Sequence, residues 1–240
     1  MIEILLSLLV LISFVFISGN ISSVLIFQSN SKYLDIYEQG FFGIIFLVFL
    51  SFVFHIFFPL NIIVNAIIFI FIIFIFIPKN KDNFNLIKNL DLKIISVSLL
   101  VVFLMTLKYK PNEDYGYYHL PYIINLTSEK IIFGLANLQP QFAWNSSWLN
   151  FSSLFNLPFI ELKGTQLSNS VLYFFTIAFF LSRLHHSKSK NSFSYLFLLL
   201  LTTYVIIKFS RITEHGFDFP ANIFLLLAFY YFLKIFEEDK

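Results

Sequence analysis

The chain has 240 residues, of which 58% are hydrophobic and only 12% charged, and its mean hydropathy is +0.80. Soluble domains run at about 45–50% apolar and about 25% charged, so a soluble enzyme is excluded, as is a disordered chain. A net charge of +2 gives no reason to expect a nucleic-acid partner, and the lack of cysteine removes disulfides, thiolate nucleophiles and Cys-ligated metals.

A backbone in lipid must satisfy its own hydrogen bonds, and a helical span needs about 20 apolar residues. Seven stretches meet or approach that length: 4–18, 41–58, 60–77, 94–107, 168–184, 193–209 and 219–236. The expected fold class is therefore all-α, a polytopic transmembrane bundle of about seven spans forming one domain over 1–240. The first stretch lacks a basic leader and a small-residue cleavage site, and it carries Glu3, so it reads as a retained helix. Pro59 and Asn61 break the second and third stretches into a tight hairpin. Much of the Phe-richness reads as compositional habit, and no single aromatic stripe is taken as a ligand box.

Lys and Arg in short loops set orientation. Lys79, Lys81, Lys88 and Lys93 fall between the third and fourth stretches, Arg183, Lys188 and Lys190 between the fifth and sixth, and Lys234 and Lys240 at the end. These three places are separated by even numbers of crossings, so they share one side, read as cytoplasmic, with the C-terminus among them. His185 and His186 fall in that basic turn and read as solvated. His55, near the outer end of the second stretch, reads as a packing histidine.

Two loops then face outward, a long one over 109–167 and a short one over 210–218. In the long loop, Trp144, Trp148, Phe151 and Phe155 recur at helical spacing with Asn and Ser opposite. That pattern predicts an amphipathic helix lying in the membrane interface, and 120–133 reads as a second. Glu113, Asp114 and His119 open the long loop, while Lys208, Arg211, Glu214, His215 and Asp218 belong to the short one. Convergent carboxylates above a bundle suit proton abstraction from an alcohol, metal binding or recognition of a cation.

The outer-loop residues also carry a resemblance. Asp114-Tyr115-Gly116-Tyr117-Tyr118-His119-Leu120-Pro121 is similar to a D-x-G-x-Y-H-L-P signature. Gly134-Leu135-Ala136-Asn137-Leu138, followed by the Asn145-Ser146-Ser147-Trp148 element, resembles G-L-x-N-L and N-S-S-W signatures, and Asp218-Phe219-Pro220 resembles a later acidic D-x-P element. Together these resemble a family of bacterial multi-pass proteins grouped with GT-C-fold glycosyltransferases. The resemblance implies an enzyme of the bacterial inner (plasma) membrane, active at the periplasmic or outer face. Its partners would be the bilayer, a polyprenyl-phosphate-linked sugar, and a glycan or lipid acceptor in cell-envelope assembly.

Carried over residue by residue, Asp114 is implied as the catalytic carboxylate, with Glu113 as an alternate and His119 beside it. Asp218, Glu214, His215, Arg211, Lys208 and Asn145 are implied as substrate-binding, with Arg211 and Lys208 toward the lipid phosphate. The resemblance fixes no cofactor, and the acidic residues leave room for a divalent metal. Enzymes of that kind carry more helices and a C-terminal domain, so the resemblance implies a minimal member, an N-terminal part or one subunit of a split enzyme. Two other classes compete. A glycan polymerase or ligase recruits arginines for pyrophosphates, and this chain has only two. A transporter or accessory subunit places ionisable groups at mid-membrane, whereas here the polarity gathers at the rim.

Overall fold

A computed structural model of the protein describes residues 1–28, 34–79, 91–108, 114–138, 140–143, 146–187, 192–213 and 215–238. Its helices are α1 (Ile2–Phe27), α2 (Ile36–Phe57), α3 (Ile62–Lys79), α4 (Leu92–Leu107), α5 (Leu120–Ser128), α6 (Ser147–Ser153), α7 (Leu162–Thr165), α8 (Ser168–His186), α9 (Phe193–Ile207) and α10 (Asp218–Glu238). Among the described residues there is no strand, only an isolated bridge between Leu157 and Glu161. The all-α class follows, and each of the seven apolar stretches falls on a helix.

Among the described residues, five helical stretches are long and apolar enough to cross a membrane: Ile2–Phe27, Ile36–Phe57, Leu162–His186, Phe193–Arg211 and Asp218–Glu237. The apolar helices Ile62–Phe76 and Leu92–Leu107 are shorter. At 1.5 Å per residue, α4 reaches about 24 Å, less than the ~30 Å hydrocarbon core.

The helix ends are written locally. Asp35 and Glu38 form a reciprocal capping box at the start of α2, Asp91 caps α4 and Ser192 caps α9 through their side chains. Phe58 leaves α2 with extended backbone because the ring of Pro59 disfavours helical conformation at the residue before it.

Packing then depends on small residues. Lipid tails are as apolar as leucine, so helices in a bilayer associate where their backbones can approach closely. A Cβ on Gly19 of α1 would stand 1.7 Å from the Gln39 carbonyl oxygen, and one on Gly43 of α2 would stand 2.0 Å from that of Val15. The α1–α2 pair is therefore in backbone contact. The innermost helix is α8: 78% of the crossing segment it belongs to is buried inside the protein, against 17% for that of α9.

The two ends of the bundle differ. One carries the 58–61 turn and the described parts of 114–167 and 208–217. There, Leu60 N donates to Leu126 O and Ile131 N donates to His55 O, and Asn65 Nδ2 of α3 donates to Ser153 O and Asn156 O. At the other end the starts of α2 and α9 meet the ends of α8 and α10, through Arg183 with Asp35 and Ser194 with Glu237. The shared end expected for Arg183 and the C-terminal helix end is thus observed.

The expected interfacial helix over 142–155 needs correction. Its helical part is α6, and Trp148, Phe151 and Phe155 are buried together with Asn150, Ser152 and Ser153. Trp148 packs on Phe151, and Phe151 on Phe155, while Ser152 Oγ donates to Ser168 Oγ at 2.7 Å. The segment is a plug seated in the bundle, and the hydroxyls of its polar face are bonded within the protein, Ser153 Oγ donating to Leu149 O. Trp144 lies outside the described residues.

Candidate functional site

The short loop is fixed by the first turns of α8, whose polar side chains are wholly buried. Asn169 Nδ2 donates to Arg211 O at 3.0 Å and Gly216 O at 3.3 Å, and Ser170 Oγ donates to Ile212 O at 3.3 Å. The Tyr173 hydroxyl donates to Lys208 O, and its ring stacks on Phe219 at 4.2 Å. Buried carbonyls must find donors. Here α8 supplies them at Lys208, Arg211, Ile212 and Gly216, while the Lys208 and Arg211 side chains are exposed. The same helix receives Thr106 Oγ1 of α4 on Ser170 Oγ at 3.0 Å, which ties the end of α4 to it.

The first signature forms a π-helical turn over Tyr115–His119, preceded by Asp114. Such turns are rare and gather at functional sites. The Asp114 carboxylate accepts no capping hydrogen bond from the turn it starts. Tyr115 anchors that turn: its ring lies parallel to His215 at 5.3 Å, and its hydroxyl accepts from Gln166 Nε2. Tyr118 and His119 are in edge contact at 4.2 Å, and His119 meets Phe217 at 5.9 Å.

These two elements enclose a cavity of about 400 Å³, within the ~300–1,000 Å³ of small-molecule sites. Asp114, Tyr118, His119, Lys208, Arg211 and Asp218 line it, with Tyr204, Phe217, Phe219 and Asn222 completing the wall. Asp114, Lys208, Arg211 and Asp218 are exposed, and His119 is nearly buried. Asp218 stands in the first turn of α10, where the helix dipole favours a negative charge. The Tyr118 phenol senses the whole set. Burial pushes its pKa above the ordinary tyrosine range, the carboxylates of Asp114 and Asp218 push it further, and Arg211 opposes them.

Five of the residues singled out from the sequence therefore share one cavity: Asp114, His119, Lys208, Arg211 and Asp218. Glu113, Glu214 and Asn145 lie outside the described residues. His215 needs correction as a substrate-binding residue. It is 0% exposed and does not line the cavity. Thr165 Oγ1 donates to Leu162 O at 2.7 Å and lies 2.7 Å from His215 Nε2. A hydroxyl has one proton, so Nε2 carries the hydrogen and donates to Thr165. Burial, reinforced by neighbouring His119, pushes the His215 pKa down to about 3. His215 is a neutral strut beneath Tyr115.

Tyr118 is a cavity residue to which the sequence reading gave no role, although it is the tyrosine of the D-x-G-x-Y-H-L-P element. Asn169 was likewise passed over, because it holds backbone from a helix that reads as ordinary span, and so were Thr165 and Gln166, which end the long loop and hold the rings of His215 and Tyr115. Among the described residues, the cavity's carboxylates and His119 do not gather into a three-ligand metal cluster.

A protein-family model with the description "Domain of unknown function (DUF8201)" matches residues 1–240. No curated protein and no solved structure matches the chain.

Proposed function

The chain belongs to the DUF8201 family, and for it we propose a GT-C-like membrane glycosyltransferase, or the catalytic part of one, that uses a polyprenyl-phosphate-linked sugar. One observation carries the reading: two carboxylates and two cations, Asp114, Asp218, Lys208 and Arg211, line the same cavity at one end of an apolar bundle. Lipid phosphates lie at that level of a bilayer, and a lipid-linked sugar reaches such a rim without leaving the membrane. The cavity end faces the periplasm or cell exterior of the inner membrane, and the opposite end, with the C-terminus, faces the cytoplasm.

Asp114 takes the proton of an acceptor hydroxyl as its oxygen bonds to the anomeric carbon. The bond from that carbon to the phosphate oxygen breaks, and its electron pair leaves on polyprenyl phosphate. Arg211 offers a planar fork and Lys208 a point charge to that phosphate. Asp218 accepts from sugar or acceptor hydroxyls, and Tyr118, kept protonated by burial and the carboxylates, donates. A positioned base contributes ~10²–10⁴-fold. In membranes supplied with polyprenyl-phosphate sugars, Asp114→Asn should lose transfer by that factor while the protein inserts and folds as before. Full transfer by Asp114→Asn would remove the catalytic assignment.

A further inference from the structure

We propose that Asp91, His185 and His186 form a divalent-cation site with a preference for zinc-like ions, at the end of the bundle opposite the cavity. The three residues come from two elements, Asp91 at the start of α4 and the two histidines in the last turn of α8. One ligand atom from each lies within 4.8 Å of the others.

The chemistry at each ligand is already oriented. Asp91 Oδ1 accepts from the backbone N–H groups of Lys93 and Ile94, which fixes the carboxylate without engaging Oδ2 in the cap. His186 Nδ1 lies 2.9 Å from Ser182 O. A carbonyl can only accept, so Nδ1 carries the proton and Nε2 holds the lone pair. A backbone carbonyl on one ring nitrogen, with the other nitrogen left to the ion, is the usual outer-shell arrangement of a metal-binding histidine. The His185 ring stands at 87° to it with centroids 5.0 Å apart, and a ring nitrogen of each lies within 4.8 Å of the other and of the Asp91 carboxylate.

Ligands about 2.0–2.1 Å from zinc stand ~3.3 Å apart, so closure asks for side-chain movement on the order of an ångström. The histidines are exposed and can make it. Two imidazoles and one carboxylate suit zinc, copper or nickel better than magnesium or calcium, and three protein ligands leave a position for water. The bound ion would clip the start of α4 to the end of α8. This inference does not rest on the transferase reading.

The test uses the full chain in detergent, purified with an affinity tag that contains no histidine, and zinc chloride or cobalt chloride as probe. The expected result is one zinc per chain by titration calorimetry and a cobalt absorption band in the visible. With no cysteine present, that band can report only nitrogen and oxygen ligands. Asp91→Asn, which keeps an oxygen for the cap, and His186→Gln should each weaken binding at least ~10-fold, the scale for losing even an outer-shell partner. Zinc should raise the thermal midpoint of the wild type and not of His185→Gln. Absence of binding by the wild type, or binding that all three variants retain, overturns the proposal.

Discussion

The two ends of the bundle hold their charges in opposite ways. At the end of α8, the Arg183 guanidinium lies 2.9 Å from Asp35 and 2.6 Å from Glu38, and Tyr231 donates its hydroxyl to the same Glu38 oxygen. Glu38 and Asp35 also cap α2 reciprocally, and Arg183 sits over the Phe179 ring at 5.0 Å. Burial pushes the Asp35 carboxyl up, aided by Glu38, while Arg183 and the backbone N–H groups of Glu38 and Tyr37 hold it down. At the other end, Asp114, Asp218, Lys208 and Arg211 are exposed around an open cavity. The first arrangement consumes its charges internally and joins α2, α8 and α10. The second fixes its backbone through Asn169, Ser170 and Tyr173 and carries its charged groups, exposed, on the cavity wall. The first arrangement is a fastening, and the second is the candidate site.

Mutations should separate the two. The largest effect belongs to Asp114→Asn, with transfer down ~10²–10⁴-fold and the thermal midpoint unmoved. Arg183→Met should do the reverse. It leaves Asp35 and Glu38 partly buried without their cation, a loss of ~3–5 kcal/mol when such a pair is fully buried. Arg183 is 29% exposed, so solvent screening brings the expectation to about 2–3 kcal/mol. Thermal or denaturant unfolding in detergent reads it, and unchanged stability would mean that this end is no fastening. Next comes Arg211→Gln, which should raise KM for the lipid-linked donor ~10-fold with kcat less affected, on the scale of one charge-assisted contact at about 1.5–3 kcal/mol.

The smallest effect concerns pH. The His215 pKa is depressed in the folded protein, to about 3, against about 6.5 in an unfolded chain. Above ~6.5 both states are neutral and its contribution is fully present. As pH falls from there toward 3 only the unfolded chain takes the proton, so stability declines. His215→Phe gives up the Thr165 contact but should flatten that decline, read as the slope of the unfolding midpoint between pH 7 and 4. An identical slope in the variant would place the acid sensitivity elsewhere.

Much of the candidate site was legible. Asp114, His119, Lys208, Arg211 and Asp218 stand next to helix ends, and counting crossings puts them at one end. Illegible from the same residues were the withdrawal of His215 beneath Tyr115 and the entry of Tyr118 into the cavity wall. Both depend on side-chain direction within a short loop and a π turn. Asn169 is a sharper case: a polar residue in a span reads as a blemish until its two carbonyl partners, 42 and 47 residues away, are known.

By itself the sequence determined a membrane class, seven apolar helices, and the parity that gathers loops at one end or the other, because hydropathy and helix breaking act along the chain within a few residues. Only the tertiary structure decided which apolar faces meet protein and which are left for lipid. The Trp148–Phe151–Phe155 stripe has the pattern of a helix lying on a membrane, yet it is buried in the bundle. A leucine or phenylalanine gains similar surroundings from a lipid tail or another helix, so the apolar pattern alone carries no distinction between them. The close approach at Gly19 and Gly43 and the polar anchors of α8 make that choice, and they act between residues far apart in the chain.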